Sequence, residues 1–240
     1  MALLYSKQVG ESEYQVRSAG ASIRLYSNGV LHSQYNPNTP INGAIWDLLL
    51  LPGFFKETLP KRILVLGLGG GTIVHLLKLF FPQSTLVCVE LDSQHIQIAK
   101  RYFAIPQKNV ELIQGDAYQY LRDGNDKFDW IIDDVFQHVS GEPIRQQPLD
   151  EIFSLYLKRL NKNGMLSANV IGHTQFKQMK SLVGSFQDAY QFSHPLYENR
   201  ILCLLNEACS SGQFRLNLKQ HKVLDQSLRS CKLNYRLKKI

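Results

Sequence analysis

The sequence predicts an α/β fold built on a doubly wound, mainly parallel sheet, and three observations predict it. Short β-rich runs alternate with segments of helical spacing across residues 61–170, the pattern of a parallel sheet with helices on both faces. The first run, Ile63-Leu64-Val65-Leu66, is apolar at every position, as in a strand buried on both faces. It passes directly into Gly67-Leu68-Gly69-Gly70-Gly71-Thr72, a Gly-rich turn that opens a helix.

Taken in order, the chain begins with a small β-element. Glu13-Tyr14-Gln15-Val16-Arg17 alternates, and Ile23-Arg24-Leu25-Tyr26 leads through Ser27-Asn28-Gly29 into Val30-Leu31-His32. Asn-Gly between two such runs is a hairpin signal. Residues 36–40 read as a loop, and residues 41–51 as a helix ended by Pro52-Gly53. Residues 1–57 thus form an N-terminal unit that covers an edge or face of the main domain or lids its ligand cleft. In the main domain, residues 58–207, strands are expected at 63–66, 86–90, 110–114, 130–133 and 165–170. Helices are expected at 72–81, 93–103, 117–121 and 149–160, the second capped by Asp92 or Ser93. A helix over 173–191 and a terminal antiparallel hairpin, 194–197 with 200–206, complete a Rossmann-like domain.

Composition bounds the classes. A chain of 240 residues, 44% hydrophobic and 20% charged, fits one large globular domain with at most a small appendage. No run of about 18 apolar residues is present, so no membrane-spanning helix is expected. Residues 1–7 are too short and polar a stretch for a signal peptide. Cys88 and Cys203 lie in apolar runs and no C-x-x-C pair occurs, which fits reduced core thiols and a cytoplasmic setting. The formal charge of +7 resides entirely in residues 208–240, where eight basic residues face Asp225 alone. That stretch reads as a basic C-terminal tail, solvated and dispensable for the stability of the body. Nucleic acid or another anionic partner is what it would admit.

Ligands of an open parallel sheet bind beyond the carboxyl ends of its strands. Those ends supply Gly67, Gly69 and Gly71, then Glu90 and Asp92, then Gly115-Asp116-Ala117, then Asp133, Asp134 and Gln137. The glycines let a ligand approach backbone amides at a helix start. Glu90, 19 residues beyond Gly71, suits the two hydroxyl donors of a ribose, and at a strand end it is expected to be dispensable to the fold. Carboxylates closing three successive strands cost heavily to desolvate and suit a donor-rich ligand: ribose, an adenine amino group, an ammonium.

These residues resemble the spermidine synthase-like family within the class I S-adenosylmethionine (AdoMet) transferase fold. The resemblance rests on Val65-Leu66-Gly67-Leu68-Gly69-Gly70-Gly71, Val89-Glu90-Leu91-Asp92, Gly115-Asp116-Ala117 and Phe128-Asp129-Trp130-Ile131-Ile132-Asp133-Asp134, and spans roughly residues 13–207. It implies that Gly67, Gly69, Gly70 and Gly71 hold the methionine part of the cofactor and Glu90 with Leu91 the ribose. It further implies that Asp116 with Ala117 meets the adenine, that Asp134 and Asp133 stand at the reacting centre, and that Gln137 faces the substrate. The chain departs from the aminopropyltransferase pattern at Gly70, where that branch has an aspartate, and at Gln137, where it has a second carboxylate. The Gly-Leu-Gly-Gly-Gly form, with Phe81-Pro82 after the helix, looks more like the family's methyltransferase branch. The expectation is therefore an AdoMet-dependent methyltransferase acting on an amine or other nucleophile, small molecule or protein. An aminopropyltransferase using decarboxylated AdoMet and putrescine, or a non-catalytic nucleoside-binding protein, is the alternative. Gly70 implies that full AdoMet binds at least as tightly as the decarboxylated form, and a homodimer is admitted.

Overall fold

The computed structural model describes residues 1–106, 108–139, 142–145 and 149–240, with the side chains of all of these except 137–139, 142–144, 149 and 150. The chain opens with an antiparallel meander, β1 (Ala2–Val9), β2 (Ser12–Ala19), β3 (Ser22–Ser27) and β4 (Val30–Tyr35), paired in that order. Asn28 and Gly29, at φ 49° and 78°, make the β3–β4 turn with the left-handed pair that a tight hairpin needs. The sequence reading does not contain β1: Leu3, Leu4 and Val9 are exposed, so no buried face marks it. Next come α1 (Ile45–Leu50) and a 3-10 turn, Leu51–Phe54. This helix starts later than expected because the Asp47 carboxylate accepts the amides of Asn42 (2.9 Å) and Gly43 (2.7 Å) and holds residues 42–44 as a turn. Pro52 and Gly53 lie inside the 3-10 turn rather than beyond the helix.

The strands and helices of the main domain follow: β5 (Arg62–Leu66), α2 (Thr72–Phe80), β6 (Thr85–Glu90), α3 (Ser93–Arg101), β7 (Val110–Gln114), α4 (Ala117–Asp123) and β8 (Phe128–Asp133). A two-stranded ribbon, β9 (Gln137–Val139) with β10 (Glu142–Ile144), precedes α5 (Leu149–Arg159), β11 (Leu160–Ile171) and α6 (Gly172–Ser181). The chain ends with β12 (Asp188–Ser193), β13 (Asn199–Leu205), α7 (Ser211–Gln220), α8 (Lys222–Arg229) and β14 (Arg236–Lys239). One eight-stranded sheet runs β14-β12-β13-β11-β8-β5-β6-β7. Its strands from β11 to β7 are parallel, and β13, β12 and β14 extend it antiparallel.

Alternation along the parallel strands builds two cores. Ile63 and Val65 face a core that α2 and α7 cover, and Leu64 and Leu66 face one that α4, α5 and α6 cover. This two-sided burial is why the strands read as unbroken apolar runs. At about 1.5–3 kcal/mol per buried large apolar side chain, these layers hold the strand ends in fixed register.

Two expectations fail near the carboxyl end. The helix expected over 173–191 stops at Ser181, and Ala189, Tyr190 and Phe192 enter β12, paired with β13. The hairpin is therefore 188–193 with 199–205, and Pro195 stands in its turn instead of in a ladder it could not bond. The basic segment is not a solvated tail. Phe214, Leu218, Leu224 and Leu233 are buried in the first core, and β14 pairs with β12. Its charges occupy the outer face of amphipathic elements, so its removal would open the core. No helix among the described residues is long and apolar enough to cross a membrane.

Candidate functional site

The carboxyl ends of β5, β6, β7, β8 and β11 converge on one cavity of about 760 Å³, within the size range of small-molecule sites. The meander supplies the opposite wall through Tyr14, His32 and Gln34, the segment ahead of α1 adds Asn42, and the first turn of α1 adds Ile45 and Trp46.

The β5–α2 loop brings Gly67 and Gly69 to the cavity. Gly67 has φ 84° and a Cβ there would lie 2.5 Å from the Asp134 carbonyl oxygen; Gly69 has φ 53° and would meet the His32 carbonyl at 2.8 Å. Both positions require glycine on conformational and steric grounds. Gly70 and Gly71 do not line the cavity. Gly70 is buried, donates to Ser33 Oγ (2.7 Å) and abuts the Phe103 ring and Ser33 Cβ, and Gly71 abuts Ile105. An aspartate at Gly70 would have no room, so the charge argument built on that position does not hold for this backbone.

Glu90, at the end of β6, lines the cavity but is already engaged. Its Oε2 accepts the amides of Leu68 (2.8 Å) and Gly69 (3.0 Å), and its Oε1 accepts that of Asp92 (2.9 Å). Burial alone would raise its pKa; the hydrogen bond and charge of His95, with the Asp92 and Leu68 amides, override this and hold it at about 2. The same pairing raises the His95 imidazole against the effect of its own burial. Glu90 is thus a clamp on the glycine loop, contrary to the expectation that the fold can spare it. Asp92 caps α3 through the Gln94 amide (2.8 Å) and accepts the Tyr14 hydroxyl (2.6 Å). Burial first, and then this bond, push Tyr14 up to about 12. Asp116 caps α4: its Oδ1 takes the amides of Tyr118 (2.9 Å) and Gln119 (2.7 Å), and among the described residues its Oδ2 carries no hydrogen bond. Leu91 and Ala117 complete this part of the wall.

Asp133 and Asp134 diverge, as successive strand residues must. Asp133 is fully buried away from the cavity. It pairs with Arg145 (2.6 Å), accepts the Tyr156 hydroxyl and accepts the Val135 amide (3.1 Å). Arg145 also donates to Tyr118 Oη (2.7 Å) and to the Asn169 carbonyl (2.9 Å), so the pair ties β8, α4 and β11 together. The expectation that Asp133 stands at the reacting centre is corrected on this geometry. Asp134 does line the cavity. Its Oδ1 accepts from Asn169 Nδ2 (2.7 Å), whose Oδ1 accepts from Asn199 Nδ2 (3.0 Å). Burial, with the charges of Asp133 and Glu90 added, outweighs Asn169 and Arg145 and raises the Asp134 carboxyl to about 7. Gln137 opens β9; its side chain and that of His138 lie outside the described residues.

Several wall residues escape the sequence reading. Asn169 follows from the strand-end rule applied to β11, one strand further than the rule was taken. His95 lies three residues beyond Asp92 on α3, one helical turn away. Trp46, Tyr197 and Asn199 carry no local signal and arrive by tertiary packing, with Tyr197 Oη donating to the Gly43 carbonyl (3.1 Å).

A model of the spermine/spermidine synthase domain matches residues 47–188. A polyamine aminopropyltransferase of Vibrio vulnificus is 32% identical over 154 residues, 61% of this chain and 50% of the relative. The chain thus spans about half the length of that curated relative. The crystal structure of a probable spermidine synthase from Corynebacterium glutamicum superposes with a TM-score of 0.77 at 20% identity, covering 100% of this chain and 91% of that one. Human methyltransferase-like protein 13, solved with SAH, gives a TM-score of 0.60 at 21% identity, covering 77% and 90%. At these identities the two structures show the fold alone.

Proposed function

The chain belongs to the spermine/spermidine synthase domain family, and from that premise we propose that it transfers an aminopropyl group from decarboxylated AdoMet to an amine. The observation that carries the proposal is the Asp134 carboxyl, half-buried in the cavity wall and raised to about 7. A base is most effective when its pKa lies near the working pH, and an ammonium must lose a proton before its nitrogen can attack. In the reaction the amine nitrogen attacks the propyl carbon beside the sulfonium. The N–C bond forms, the C–S bond breaks with its electron pair going to sulfur, and the proton passes to Asp134. Neutral 5′-methylthioadenosine leaves. Positioning of the two substrates supplies much of the rate.

The nucleoside is assigned to the other end of the cavity. The Cβ-free backbones of Gly67 and Gly69 allow close approach, Glu90 with Leu91 takes the ribose side, and Asp116 Oδ2 is available to an adenine amino group. Methyl transfer has less support, because the Vibrio relative is named for aminopropyl transfer and the likeness to the human methyltransferase-like protein is one of fold. The test offers AdoMet and decarboxylated AdoMet separately, with a panel of amines, and separates the nucleoside products by chromatography. Methylthioadenosine from the decarboxylated compound is expected. S-adenosylhomocysteine from AdoMet, with no methylthioadenosine, would move the assignment to methyl transfer. Tight binding without either product would favour a nucleoside-binding protein.

A further inference from the structure

We infer that the cleft between α6 and the antiparallel end of the sheet binds an oligophosphate, at a site separate from the cavity described above and independent of the transfer reading. The cleft has a volume of about 400 Å³. Its charged side chains are Lys180 of α6, Arg200 of β13, Arg236 and Lys238 of β14, and Glu198 from the turn between β12 and β13. The elements that build it, residues 172–205 and 236–240, are described throughout.

The register of the sheet assembles the cluster. Opposed residues of antiparallel strands share a face, and Ser193 of β12 is opposed by Arg200 on one side and by Arg236 on the other. The next row along that face is Leu202, Gln191 and Lys238. Strands lie about 4.8 Å apart, so the two arginine Cα atoms flank Ser193 on a base of about 10 Å. The buried Phe176 of α6 carries the Arg200 guanidinium on its ring, 4.4 Å from the centroid. Such stacking fixes a guanidinium and leaves its in-plane N–H groups for a ligand.

These groups are not spent within the protein. Among the described residues, none of the four cations has an ion pair or a side-chain hydrogen bond, and neither have the Ser193 hydroxyl and the Gln191 amide. Lys239, the neighbour of Lys238, does pair with Asp188. Basic residues on an edge strand deter pairing with another sheet, which accounts for Arg236 and Lys238 alone. Arg200 is on an inner strand and Lys180 on a helix, and like charges on neighbouring strands repel. A ligand that offsets this repulsion must be compact, multiply anionic and rich in acceptor oxygens. An oligophosphate chain meets all three needs and suits guanidinium, ammonium and hydroxyl donors. Orthophosphate brings less charge, and a nucleic-acid strand spreads single charges along a track longer than the cleft.

Calorimetry on the full chain tests this with inorganic triphosphate, orthophosphate, ATP and a single-stranded RNA. Triphosphate is expected to bind at least about tenfold more tightly than orthophosphate. Arg200→Gln and Arg236→Gln should each weaken triphosphate binding about tenfold, whereas Lys219→Gln, an exposed cation of α7 outside the cleft, should leave it within about twofold. Arg236 is exposed on the edge strand, so its variant is expected to keep the wild-type unfolding midpoint. ATP that binds more tightly than triphosphate, and is weakened by Arg236→Gln, assigns the ligand to nucleotides; ATP no tighter than triphosphate assigns it to the bare phosphate chain. Orthophosphate as tight as triphosphate, an equal loss in Lys219→Gln, an unchanged affinity in Arg236→Gln, or RNA that triphosphate fails to displace would each overturn the inference.

Discussion

At the end of the cavity proposed to take the nucleoside, Glu90, Asp92 and Asp116 are each tied to backbone amides at helix or loop starts. At the end proposed to take the acceptor, Asp134 receives one side-chain amide and no backbone donor among the described residues. Burial is not the difference, since Glu90 and Asp134 are both half-buried in the cavity wall. Fixed donors are. Backbone amides and the His95 ring hold the Glu90 pKa down at about 2, whereas that of Asp134, with one amide and two nearby carboxylates, rises to about 7. The first arrangement makes a rigid wall; the second leaves a carboxylate whose proton is exchangeable near neutrality. On the proposed function, one end is built to hold and the other to react.

The sharpest way to break this contrast is Asp134→Asn. Removal of a positioned base costs roughly 10²–10⁴-fold in rate, so kcat is expected to fall by that factor while methylthioadenosine affinity, measured by calorimetry, stays within about twofold. A comparable fall in nucleoside affinity would show that the two ends are not separate. Asp133→Ala probes the neighbouring carboxylate, which stands behind the wall. It leaves the buried Arg145 without its partner and is expected to cost about 3–5 kcal/mol in urea unfolding. A folded, fully stable variant with lost activity would return Asp133 to the reacting centre.

Glu90→Ala has a smaller effect of a different kind. It strips the acceptor from the Leu68, Gly69 and Asp92 amides and is expected to lower both stability and nucleoside affinity by about 1–3 kcal/mol. The sign of its pH dependence follows from the lowered pKa. Glu90 contributes stability above its ordinary carboxylate range and loses it as pH falls towards about 2. The gap between wild type and variant in denaturant midpoints should therefore be full at pH 7 and close on acidification. A gap independent of pH would mean that packing, not the ionised clamp, is what the mutation removes.

The two ends were unequally legible in the sequence. The parallel core was plain because strands buried on both faces must be apolar throughout, and the glycine loop was plain because close backbone approach excludes a Cβ. The strand-end carboxylates were visible as residues but not as partners. Alternation says that Asp133 and Asp134 part company; which one meets the cavity depends on Arg145, twelve residues on, and on Tyr156 in α5. Glu90 reads as a free ligand until its amide partners are located. The segment after residue 207 misled because its charges outnumber the four apolar side chains that it buries, and β12 because Ala189, Tyr190 and Phe192 fit a helical face as well as a strand. Trp46 and Tyr197 reach the acceptor end from opposite ends of the chain, joined through the Gly43 carbonyl, and no local pattern announces such a meeting.

The smallest expected effect is the most diagnostic of how the reactive end is tuned. Asn199 does not touch Asp134; it donates to Asn169 Oδ1 and so keeps Asn169 Nδ2 aimed at Asp134 Oδ1. A hydrogen bond to the ionised carboxylate favours that form and lowers its pKa. Asn199→Ala loosens Asn169, weakens that bond and moves the Asp134 pKa upwards. The base must be ionised to work, so kcat should rise with pH through about 7 in the wild type, and in the variant the ascending limb should move to higher pH by less than about one unit, since one unit corresponds to roughly 1.4 kcal/mol. The plateau at high pH should be nearly that of the wild type, because there the carboxylate is ionised in both. A lowered plateau with an unmoved limb would show that Asn199 serves the acceptor directly instead of tuning Asp134, and an ascending limb that survives in Asp134→Asn would show that another group carries the titration.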